Sequence, residues 1–126
     1  MMNTAYLFIG LGGAIGAILR VALTSILPST ILNIPIKILC VNILGCFVLG
    51  LLTELMALHW NASLNMRHLL IQGLLAGFTT FSTFSLEFGL LYEKGFHISA
   101  ILYAVLSVVL SIGFFFGGLK IIKIFS

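Results

Sequence analysis

Four mostly apolar stretches, each roughly 20 or more residues long, follow one another along this chain with only short polar segments between them. That spacing constrains the fold more than any other feature. A helix rises 1.5 Å per residue, so about 20 apolar residues cross the hydrocarbon of a bilayer. Of the 126 residues, 61% are hydrophobic and only 7% charged, too few polar side chains to coat a water-soluble globule. The sequence therefore describes an all-α membrane protein. Four spans use up its length, so residues 1–126 are read as a single four-helix transmembrane domain.

The first span runs from about residue 4 to 27 and stops at Pro28, and "PSTILNIP" connects it to a second at about 36–58. The segment "HWNASLNMR" turns the chain, with Trp60 suited to the headgroup level. A third span at about 67–92 leads through "EKGF" into a fourth at about 97–119, closed by Lys120 and Lys123. The first stretch has no charged segment before it and is longer than the apolar region of a signal peptide. It reads as a retained helix.

Charge excludes several function classes. The net charge of +3 comes from six scattered basic residues against Glu54, Glu87 and Glu93, with no basic stripe to track phosphates. No nucleophile–base pair or metal constellation points to an enzyme. Cys40 and Cys46 lie six apart on one predicted helix, too far apart to bridge, and read as small apolar residues.

Orientation follows lysine and arginine placement. Lys37 and Lys94, with Arg20 two turns inside, mark one face; Arg67, Lys120 and Lys123 mark the other. The balance predicts dual topology, with copies inserted both ways. Opposed copies pair as an antiparallel homodimer about a two-fold axis lying in the membrane plane. Small residues on one helix face supply candidate packing seams: Gly12 with Gly16, Gly73 with Gly77, Gly113 with Gly117, and more weakly Cys46 with Gly50.

The polar residues inside the spans are few enough to examine singly. Asn42 lies about two turns into the second span, where an unsatisfied amide costs on the order of 1–3 kcal/mol. It either fixes helix packing through a hydrogen bond or aims a donor at an anion. The run "GFTTFSTFSLE" at 77–87 puts Thr79, Thr80, Ser82, Thr83 and Ser85 near mid-span behind Gly77. One serine there would bond a carbonyl one turn back and be silent. Five hydroxyls in a β-branched, glycine-flanked segment instead predict that the third helix is broken near mid-membrane, where backbone dipoles can meet an ion.

Phe81 and Phe84 share a face of the helix that resumes after the break, and Phe88 continues it. Such a stripe serves core or lipid contact, or presents positive ring edges to an anion. Tyr103, Ser107 and Ser111 form one polar line on the fourth span, as helix–helix glue or as a ladder of donors that replaces water. Arg20 either snorkels or supplies positive potential at a vestibule. Glu87 is expected to accept hydrogen bonds beside the break.

Together these residues resemble the small fluoride channel family of microbial membranes. The resemblance spans essentially the whole chain, through "GGAIGAILR" (12–20), "VNILGCFVLG" (41–50), "GLLAGFTTFSTFSLE" (73–87) and the Tyr103, Ser107, Ser111 line. It implies an antiparallel dual-topology homodimer in the cell (inner) membrane, with two narrow pores that let fluoride leave the cell passively. It also implies that Asn42, Phe81 and Phe84 line each pore, that Ser82, Thr83, Tyr103, Ser107 and Ser111 supply a polar track, and that Arg20 stands near an entrance. A structural sodium ion (Na+) at the dimer centre is implied at the backbone carbonyls of Ala76 and Thr79. The family usually has glycine where this chain has Ala76, and commonly leucine where it has Phe78. If position 76 needs a positive φ, alanine there is strained. A different class with the same length and helix number is a small dual-topology, proton-coupled multidrug antiporter; it needs a titratable acid deep in a span, and only Glu87 comes close.

Overall fold

The third apolar stretch does not form one uniform helix, and the rest of the fold is arranged around that irregularity. The structure, a computed structural model, describes residues 2–126. Helix α1 (Met2–Ile26) leads through a short loop to α2 (Lys37–Leu58). The third span then runs through α3 (Leu64–Arg67), a wider π-helical segment (His68–Leu75), α4 (Ala76–Phe78) and α5 (Phe81–Glu93). The last helix, α6, covers His97–Ile124, so Lys120 and Lys123 lie within it rather than beyond its end. Four of these helical stretches are long and apolar enough to cross a membrane.

The loop after α1 contains a two-residue antiparallel ladder, β1 (Thr30–Ile31) with β2 (Ile34–Pro35), in an otherwise helical protein. Leu32 and Asn33 turn it, with φ of 53° and 65°. A tight hairpin turn needs positive φ at both central residues, which asparagine tolerates and leucine does not favour.

Close approach of backbones decides which helices pair. α1 lies against the π-helical segment, and α2 lies against α6. In the first pair Gly12 and Gly16 face Gly73 and Gly77: a Cβ on Gly73 would come within 2.8 Å of the Ile9 carbonyl oxygen, and one on Gly12 would run into that of Leu69. In lipid, where apolar side chains gain nothing by leaving the solvent, such contact is what holds helices together. In the second pair Gly50 meets the Phe115 carbonyl, and Gly118 meets that of Phe47. The expected Gly113 and Gly117 seam is not used within the chain, since a Cβ at either meets nothing within 4 Å. Val41, Ala100 and Tyr103 are fully buried, while large apolar side chains such as Leu7, Ile18 and Val109 face outward, as lipid contact requires.

Candidate functional site

The helix stops at Phe78 because the next two residues are extended: Thr79 has φ −81°, ψ 154° and Thr80 has φ −151°, ψ 122°. Their hydroxyls favour this arrangement. Thr79 Oγ1 donates to the Leu75 carbonyl at 2.9 Å, alongside the Thr79 N–H at 3.0 Å, and so closes the preceding turn. Thr80 is the N-cap of α5, its Oγ1 accepting from the Thr83 N–H at 3.3 Å. Threonine at an N-cap satisfies one of the donors that a helix start leaves open. Ser82 Oγ lies 3.1 Å and Thr83 Oγ1 3.4 Å from that same oxygen, so both cluster at the cap.

An interrupted helix frees backbone groups that lipid cannot satisfy. Asn42 takes up two of them, both on Thr80: its Oδ1 accepts from the Thr80 N–H at 2.8 Å and its Nδ2 donates to the Thr80 carbonyl at 3.1 Å. A backbone N–H can only donate, so the pairing also fixes which way the amide points. One N–H of Nδ2 remains for another partner. Arg20 takes up a third group, its Nε donating to the Gly77 carbonyl at 3.3 Å. In an unbroken helix that carbonyl would receive the N–H of residue 81.

By the same rule the Ala76 carbonyl loses the Thr80 N–H to Asn42, and the Thr79 carbonyl loses the Thr83 N–H to the Thr80 cap. Ala76 itself is ordinary helix, with φ −66° and ψ −33°. Glycine is not needed there, and the strain anticipated for alanine is absent.

Beside the interruption lies a cavity of about 280 Å³ that brings together Asn42, Phe81, Phe84, Ser107 and Ser111 with Thr79, Thr80 and Cys46. None of its lining residues carries a charge. Phe84 bridges Phe81 and Tyr103, with ring centroids 5.3 and 5.1 Å away. Phe81 is 75% exposed, so its ring is not held by this chain's own core. Ser107 is 7% exposed, and its hydroxyl finds no hydrogen-bond partner among the described residues. Ser82, Thr83 and Tyr103 do not line this cavity. Tyr103 instead donates its hydroxyl to Glu87 Oε2 at 2.7 Å, tying α6 to α5. Glu87 thus accepts from a neighbouring helix rather than from the interruption.

Residues 7–119 match the family model described as "CrcB-like protein, Camphor Resistance (CrcB)". The chain belongs to the CrcB family. Among its relatives, the fluoride-specific ion channel FluC of Rhizobium etli (strain CFN 42) is 43% identical over 122 residues, covering 93% of this chain and 94% of that protein. FluC of Agrobacterium fabrum is 42% identical, covering 96% of each chain, and FluC of Campylobacter fetus subsp. fetus is 40% identical, covering 98% of each. The family-model match spans both glycine seams and the whole interruption. As a CrcB family member, the chain is a multi-pass membrane protein and not an enzyme.

Thr80, counted in the sequence only among the five hydroxyls that predict the break, has a place of its own at the site, and Gln72, which the sequence did not single out, lies nearby. Thr80 is held at three polar atoms, and its role was legible as a threonine, a favoured N-cap residue, just before the helix that resumes at Phe81. Gln72 lines a second cavity of about 340 Å³ with Gly45, Leu49, Ala76 and Thr79, and its Oε1 lies 2.7 Å from His68 Nδ1.

Proposed function

We propose that this protein is a fluoride-selective channel of the inner membrane, releasing fluoride from the cell down its electrochemical gradient and so lowering fluoride toxicity. The observation that carries this reading is the uncharged cavity lined by Asn42, Ser111, two phenylalanines and Ser107, whose buried hydroxyl has no partner among the described residues. Fluoride is a strong hydrogen-bond acceptor with a costly hydration shell, so a selective path has to return donors as water is removed. Hydroxyl, amide and ring-edge donors do this without a fixed cation that would trap the ion. Thr80, held extended by Asn42, and Thr79, tied to Leu75, keep α5 starting beside the cavity that Phe81 and Phe84 line. Arg20 fixes the end of the preceding turn. Tyr103 orients Glu87 away from the anion path.

The conducting unit in this reading is an antiparallel homodimer with two pores. Balanced lysine and arginine support dual insertion, and the exposed Phe81 ring and open Gly113 and Gly117 surface offer area to a second copy. The break in the third span lies near mid-membrane, and the Ala76 and Thr79 carbonyls deprived of helical partners suit a hard cation such as sodium. Two carbonyls from each copy would hold it on the two-fold axis, neutralising backbone dipoles there. Production of the protein in a bacterium that lacks fluoride export tests the function: growth in fluoride medium is expected to return. Unchanged sensitivity, with the protein present in the membrane, would contradict it.

A further inference from the structure

Cys46 lies one turn beyond Asn42 on α2 and lines the cavity with Ser107 and Ser111. It also borders the second cavity, whereas Cys40, on another face of the helix, lines neither. Both thiols are free and half-buried. The same cavity holds the Ser107 hydroxyl, which is buried and without a partner among the described residues. A hydroxyl is rarely left so, because an unsatisfied donor in apolar surroundings costs free energy until something solvates it. That marks the space beside Cys46 as one that a small polar occupant enters.

The other polar groups lining this space are hydroxyls and an amide, all hard oxygen or nitrogen ligands. The thiol is the one soft ligand among them. Soft cations select sulfur over oxygen, and linear two-coordinate ions of the silver(I) and mercury(II) class need a single thiolate plus water.

We propose that Cys46 is a binding site for soft, thiophilic cations, placed inside the anion path so that occupancy plugs it. The proposal rests on the fluoride-channel reading. The metal–sulfur bond forms as the S–H bond breaks, and the proton leaves to water, with no change of oxidation state. The bound metal and its water ligand narrow a cavity of about 280 Å³ and obstruct the route along which fluoride would pass.

The test uses the full-length protein in liposomes loaded with potassium fluoride, in chloride-free medium, with silver nitrate as the probe. Silver is expected to abolish most fluoride efflux from the unmodified protein and from Cys40→Ala, with recovery on adding excess dithiothreitol. Cys46→Ser is expected to keep its own silver-free rate. Equal inhibition of Cys46→Ser, or no inhibition of the unmodified protein, would overturn the proposal. Vesicles that release no fluoride even without silver would count against the channel reading instead. Brief exposure to methylmercury hydroxide then decides the site by peptide mass: faster adduct formation on Cys46 than on Cys40 supports it, and equal or slower formation overturns it.

Discussion

Asn42 and Thr80 are joined by two hydrogen bonds, of 2.8 and 3.1 Å, that reproduce with one side chain the contacts a neighbouring strand would make to an extended residue. The clamp lets a helix stop and restart where water is scarce. An extended residue without it would bury an unpaired N–H and an unpaired carbonyl.

Asn42→Ala is therefore expected to destabilise the protein by about 1–3 kcal/mol, the cost of orphaned backbone groups. Asn42→Asp keeps an acceptor for the Thr80 N–H but turns a carboxylate oxygen toward the Thr80 carbonyl and places negative charge at the cavity proposed to pass fluoride. It is expected to abolish most fluoride flux. Thermal unfolding in detergent and fluoride efflux from vesicles check the two outcomes.

The glycine contacts separate two classes of substitution. Gly12→Ala and Gly73→Ala push a methyl into facing backbone and are expected to cost about 1–3 kcal/mol, as overpacking does. Gly113→Ala meets nothing within the chain and is expected to leave folding intact. Detergent-resistance midpoints of the three variants, measured side by side, test this.

Tyr103 and Glu87 form a charge-assisted pair between α6 and α5. Tyr103→Phe removes the donor and leaves a carboxylate without it inside a span, so a loss of about 1–3 kcal/mol is expected. Glu87→Gln keeps an acceptor and should lose less. The order of the two unfolding midpoints is the readout.

Phe81 and Phe84 differ in support, the first being 75% exposed and the second packed against Tyr103. Phe81→Ile is expected to reduce fluoride efflux strongly while the unfolding midpoint stays near that of the unmodified protein. A variant that conducts normally would remove the aromatic ring from the conduction path.

Much of this was legible in the sequence, for identifiable reasons. Apolar length alone defines four spans, because the bilayer fixes the number of residues a helix needs. The seam of Gly12, Gly16, Gly73 and Gly77 could be read because small residues four apart always share a face. The same rule pointed to Gly113 and Gly117, where the chain uses Gly118 instead: spacing shows which residues share a face but not which face meets a neighbour. The π-helical segment His68–Leu75 could not be told from an ordinary helix in the sequence, since its two polar residues, His68 and Gln72, are four apart, a spacing that an α-helix also puts on one face. Asn42 was recognisable as needing a partner, but the partner is a backbone 38 residues away, which only the fold supplies. Arg20 shows the same limit, its bond to Gly77 reaching across 57 residues.

The most direct measurement is a fluoride-electrode trace from liposomes carrying the purified protein, beside a chloride trace from matched vesicles. Once potassium permeability is supplied, fluoride is expected to empty rapidly while chloride stays inside. Equal release of both ions, or retention of fluoride, would contradict a selective path built from uncharged donors.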